Sequence, residues 1–150
     1  MTSSEFKTIQ LYDEVCCGNP DALRFLFHWN LFCHAIDDII DSPIRAPANE
    51  VIDSFAQANV LYTQPFYQAN AIRLQTTVML VTNAYADSVA WDKSENKGHL
   101  LMADVLRFAG NEMVFAIALI CGGYQHMRRI SAKVREDSWN AHHKETGESK

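Results

Sequence analysis

Residues 20–41 read Pro20-Asp21-Ala22-Leu23-Arg24-Phe25-Leu26-Phe27-His28-Trp29-Asn30-Leu31-Phe32-Cys33-His34-Ala35-Ile36-Asp37-Asp38-Ile39-Ile40-Asp41, and this stretch decides the fold. Leu23, Phe25, Leu26, Phe27, Trp29, Leu31, Phe32, Ala35, Ile36, Ile39 and Ile40 cover most of a helical circumference, which predicts a central helix. Asn19 is a candidate N-cap, Pro20 suits the first helical position, and Asp21 faces the positive end of the dipole. Ser42-Pro43 closes the helix.

Helical patterns extend on both sides. A first helix is expected over 4–16, with Phe6, Ile9, Leu11 and Val15 apolar, stopped by Gly18-Asn19-Pro20. A loop through Arg45, Pro47 and Ala48 leads to a third helix over 49–63, which Pro65 breaks before a fourth runs to 91. The polar segment 92–98 is an interior loop and a candidate flap. A fifth helix is expected over 99–121, with Gly122-Gly123 marking a bend before a sixth, more charged segment through 139. The tail over 140–150 is polar and expected to fray. Period-two alternation and hairpin turns are lacking, so the reading is an all-α, single-domain helical bundle of about six helices over 1–150.

A chain of 150 residues that is 48% hydrophobic has enough apolar material for one sizeable core. A net charge of −5 and a pI near 5.6 argue against electrostatic attachment to nucleic acid or an anionic membrane. The longest apolar run, Met113 to Cys121, is about half of what a bilayer span needs, so no membrane span is expected. Cys16, Cys17, Cys33 and Cys121 lack zinc-ligand spacing and read as buried thiols. With no secretory signal at the start, the expected setting is reducing and cytoplasmic.

At 100° per residue, Asn30, His34, Asp37, Asp38 and Asp41 share one stripe of the second helix, so three carboxylates and an imidazole are expected to converge. Carboxylates one turn apart repel each other and oppose the negative end of the helix dipole. Between Phe25 and Asp92 seven acidic residues face only Arg45 and Arg73, so a divalent cation would relieve the repulsion. Hard oxygen donors suit Mg²⁺ or Mn²⁺ completed by water and phosphate oxygens. The alternative is a solvated helical face, against which stands its content of Asp, His and Asn in place of Lys, Glu and Arg. Asn83 and Asp87, one turn apart in an apolar stretch of the fourth helix, are candidate further ligands; satisfaction by local hydrogen bonds or solvent is the alternative.

The stretch Leu31-Phe32-Cys33-His34-Ala35-Ile36-Asp37-Asp38-Ile39-Ile40-Asp41-Ser42-Pro43 resembles the first Asp-rich motif of the class I isoprenoid synthases, squalene and phytoene synthase branch. Asn83 to Asp87, with Thr82 and Val89, resembles the second, NxxxD motif. The resemblance implies a partly isoprenoid-synthase-like helical fold in which Asp37, Asp38, Asp41, Asn83 and Asp87 hold Mg²⁺, and the ions grip a prenyl diphosphate. It departs at His34 and Ala86, where that branch carries basic residues, and in the close spacing of the motifs and the shorter chain. A bundle this small would enclose a prenyl chain more readily as a homodimer.

Arg107, Asn111 and Glu112, and after the glycine pair Arg128 and Arg129, are candidate substrate-binding residues, with His34 beside the acidic cluster. Arg suits phosphate oxygens, while surface ion pairs and a solvated basic face are the alternatives. A nucleophile elbow, a P-loop and a dinucleotide fingerprint are all missing, and no catalytic residue is assigned. Three functions compete: a Mg²⁺-dependent enzyme acting on a diphosphate substrate, a compact nucleoside triphosphate pyrophosphohydrolase, and a non-catalytic helical adaptor.

Overall fold

A computed structural model describes residues 3–42 and 47–145. Among the described residues there is no strand, as expected of an all-α chain. The helices are α1 (Ser3–Val15), α2 (Pro20–Ile40), α3 (Ala48–Tyr62), α4 (Pro65–Trp91), α5 (Lys97–Arg107) and α6 (Asn111–Glu145), with a 3-10 turn at Phe108–Gly110 between the last two. Contacts cluster into two compact units, Met1–Ile72 and Arg73–Lys150, each described by itself.

In the first unit the junction between α1 and α2 follows the expected grammar. Cys17 and Gly18 take positive φ values of 51° and 72°, and the Gly18 N–H donates back to the Asp13 carbonyl at 3.2 Å, which closes α1 in the left-handed manner. The Asn19 side chain then accepts from the Asp21 and Ala22 N–H groups at 3.0 and 3.1 Å, with Pro20 at the first helical position. Replacing Asn19 with alanine removes the Oδ1 acceptor and both of its hydrogen bonds and should cost about 1 kcal/mol in a urea titration. An unchanged midpoint would mean that water replaces the cap without loss.

α2 packs on α3, and the core of the unit is aromatic. Phe25 is fully buried, with its ring centroid 5.8 Å from Phe66 and 5.9 Å from Tyr67, while Tyr62 meets Tyr67 edge-on at 5.1 Å. Pro65 does end α3 and start α4, and so brings Phe66 and Tyr67 to α2. The central-helix expectation for α2 holds only for its first half. Ala22, Phe25, Leu26 and Trp29 are buried, whereas Phe27, Leu31 and Ile40 are exposed and nothing beyond Trp29 is fully buried. A helix apolar all round does not announce which side packs.

In the second unit α4 buries Leu74, Val78, Val81 and Ser88, a stripe at steps of four, three and seven residues. The Ser88 hydroxyl donates to the Ala103 carbonyl at 2.8 Å and joins α4 to α5. The loop between them is fastened. Trp91 stacks on His99 at 4.9 Å, Ser94 Oγ lies 3.0 Å from His99 Nδ1, Asn96 caps α5 through the Gly98 N–H, and Arg107 pairs with Asp92 at 3.1 Å. This is a pinned connection, in contrast to the expected flap.

The continuous helix expected over 99–121 is corrected: it breaks at Phe108–Gly110. Phe108 packs on Trp139 at 6.0 Å and edge-on to His142 at 5.7 Å, contacts that a straight helix with a poor helix former at Gly110 would not secure. Gly123, at φ 78° and ψ 179°, supplies the bend expected at the glycine pair. α6 continues beyond Trp139 to Glu145, so 140–145 is helical. Pro43, Arg45 and 146–150 lie outside the described residues.

Candidate functional site

The acidic end of α2 lies in the first unit. Taking the buried residues Ala22, Phe25, Leu26 and Trp29 as the inner face, the helical rotation sets Asp37 nearest to it and Asp38 on the far side. Accordingly Asp37 is half-buried, while His34, Asp38 and Asp41 are exposed. The helix closes on its own atoms. The Asp41 N–H donates to the Asp37 carbonyl at 2.8 Å, the Ser42 hydroxyl to the Asp38 carbonyl at 2.9 Å, and no basic residue occupies the last turn. Among the described residues neither Asp38 nor Asp41 forms an ion pair.

The expected convergence of three carboxylates and an imidazole needs correction. Among the described residues no group of three or more His, Cys, Asp or Glu side chains gathers to hold a metal ion. Adjacent residues such as Asp37 and Asp38 diverge by about 100° on a helix, so a shared stripe is not a shared point. One helix end can offer an ion one or two carboxylates, which is the usual protein share for Mg²⁺, with water and phosphate oxygens completing the shell.

Cys33, one turn before Asp37, has its thiol pushed up from 9.0 to about 12, first by burial and then by the Asp37 carboxylate. Such a thiol stays protonated at neutral pH, which makes it a poor nucleophile. Because its folded value lies above the unfolded one, its stabilising contribution is complete below pH 9 and is lost as pH rises towards 12. Unfolding free energy should therefore fall across that window, and Cys33→Ala should flatten the slope; an unchanged slope would reject the assignment. The buried-thiol expectation holds fully only for Cys16, since Cys17 is exposed and Cys33 and Cys121 are intermediate.

Asn83 and Asp87 lie in the second unit, on the side of α4 opposite its buried stripe, and both are exposed. The Asn83 amide donates to Asp87 Oδ2 at 3.4 Å. Leu74, Val78 and Val81 turn the pair outward, and its mutual hydrogen bond and exposure are the local satisfaction given above as the alternative.

Of the other candidates in this unit, Arg107, Asn111, Glu112 and Arg129 are engaged with neighbouring side chains. Arg107 pairs with Asp92, while its buried Nε has no acceptor. Glu112 pairs with Arg135 at 2.8 Å, and that guanidinium also lies 4.6 Å from the centre of the Phe115 ring. Asn111 Oδ1 lies 3.1 Å from Ser138 Oγ, which also lies 3.0 Å from the Val134 carbonyl. A hydroxyl has one proton for these two acceptors. Turning the Asn111 amide over lets its otherwise unpartnered Nδ2 donate to Ser138 Oγ. Arg129 lies 2.8 Å from Nδ1 of the buried His126, and Arg128 is exposed. The Glu112–Arg135 and Asn111–Ser138 contacts cross 23 and 27 residues, distances over which no local pattern in the sequence announces them.

By length and composition, the helical stretch Lys97–His142 contains a window apolar enough to cross a membrane. Met113, Val114, Phe115, Ile117 and Ala118 within it are buried in the protein. Comparison with protein-family models, curated proteins and solved structures finds no match to this chain.

Proposed function

We propose that the chain is a Mg²⁺-dependent, diphosphate-binding protein that uses the acidic end of α2, as the resemblance of 31–43 to the isoprenoid synthase motif implies. The observation that carries this reading is the state of Asp38 and Asp41. Both are exposed, without an ion pair among the described residues, at the negative end of a helix whose last turn has no base. That arrangement destabilises the helix unless a cation joins it. Hard carboxylate oxygens fit Mg²⁺ or Mn²⁺.

In this reading Asp38 and Asp41 hold the ion, with Asp37 partly withdrawn beside them. The ion would neutralise phosphoryl oxygens and stabilise a departing diphosphate. In the same reading His34, exposed one turn before Asp38, would donate to a phosphate oxygen. The ligand class divides into prenyl diphosphates and nucleoside triphosphates. Diphosphate release measured side by side from both, with Mg²⁺ and with EDTA, separates them. The prenyl reading expects release only from the former and only with metal, and release from neither would remove the enzymatic claim.

A helical adaptor is favoured by a different observation. α3 exposes Ile52 and Phe55, and α5 exposes Leu101 and Val105, each at about two thirds of its surface, which is more apolar exposure than isolated surface residues explain.

A further inference from the structure

α3 packs one face within its unit and leaves its more apolar face open. Its inner face carries the buried Ser54 and Leu61. On the outer side Val51, Ile52, Phe55 and Val60 are exposed, Ile52 by 66% and Phe55 by 69%. At 100° per residue these four share half of the circumference with Ala48 and Ala56, so they form one stripe. Ala48 and Ala56, one turn to either side of Ile52, leave room for a second helix to approach, with Ile52 and Phe55 as anchors.

Charge indicates the kind of helix that fits. α3 has no basic residue, and the exposed Asp53 borders the outer stripe, while Glu50 lies on the inner side. Across residues 1–72 nine acidic side chains face three basic ones. A second copy of this face would set acid against acid, whereas a cationic helix complements it. We infer that the outer stripe of α3 is a docking surface for an amphipathic helix of a partner protein, apolar on one face and edged with Lys or Arg. Ile52 and Phe55 enter the apolar face and Asp53 meets the basic edge, the arrangement of helix-in-groove recognition.

This inference does not depend on an ion at α2. Its test is a fluorescence-anisotropy titration of the whole chain with two labelled amphipathic peptides, one of Leu and Lys and one of Leu and Glu. The Leu/Lys peptide should bind at least about tenfold more tightly, and Ile52→Ser and Phe55→Ser should each weaken it by about tenfold with unchanged helicity. Equal binding of the Leu/Lys peptide by the Phe55→Ser protein would reveal charge attraction alone and overturn the inference. So would an absence of binding, or a self-association that Phe55→Ser abolishes and that excludes the peptide.

Discussion

Phe25→Ala should lower the stability of the first unit by about 3–5 kcal/mol, the usual cost of deleting a fully buried aromatic ring. Phe25 has no exposed surface and stands between the rings of Phe66 and Tyr67. Its removal opens a cavity that both neighbours border. Neither can move in freely, because Tyr67 is also held edge-on by Tyr62, and the stiff turn at Pro65 fixes where α4 begins. The comparison that gives this number meaning is Phe27→Ala, two residues further on. Phe27 is 56% exposed, so the same chemical change should cost about 1 kcal/mol or less. Urea titrations followed by far-UV circular dichroism measure both. Equal losses would mean that α2 presents a different face to its core.

Asp38→Asn and Asp41→Asn should have two effects of opposite sign. Without ligand, each should stabilise the protein by a few tenths of a kcal/mol, because a carboxylate is removed from the negative end of a helix that carries its neighbours. With Mg²⁺ and diphosphate, wild type should gain roughly 2.7 kcal/mol at about a hundred times Kd, equivalent to a Tm rise of several degrees in a chain of this size, and the variants should lose that gain. A merely solvated face would give the first effect without the second. Asp37→Asn should behave differently. It removes a half-buried carboxylate beside Cys33, so the Cys33 thiol should titrate lower in that variant than in wild type, though still raised by burial.

Local chemistry was the legible part of the fold. Asn19-Pro20 and Pro65 mark helix starts through backbone rules that act over a few residues, and the structure follows them. The elbow at Phe108–Gly110 was not legible, because it depends on Trp139, His142 and Ser138, which lie far away in the chain. The acidic stripe of α2 could be read as a stripe. Its rotation relative to the core could not, since Phe27, Leu31 and Ile40 are as apolar as the residues that do pack. For α4 the signal was present and outweighed by a motif. Leu74, Val78 and Val81 define the inner face by spacing alone, and that face excludes Asn83 and Asp87. The apolar stripe of α3 stands in the sequence as helical spacing, but its outward rotation does not, because Ser54 and Leu61 take the inner side.

The central claim is that the end of α2 holds a divalent cation through which a diphosphate binds. Equilibrium dialysis of radiolabelled pyrophosphate against the chain, with Mg²⁺ and with EDTA, tests it most directly. Retention by wild type in Mg²⁺, lost in EDTA and lost again in Asp38→Asn, is the expected result. Failure of wild type to retain pyrophosphate in Mg²⁺, or equal retention by Asp38→Asn, would contradict the claim.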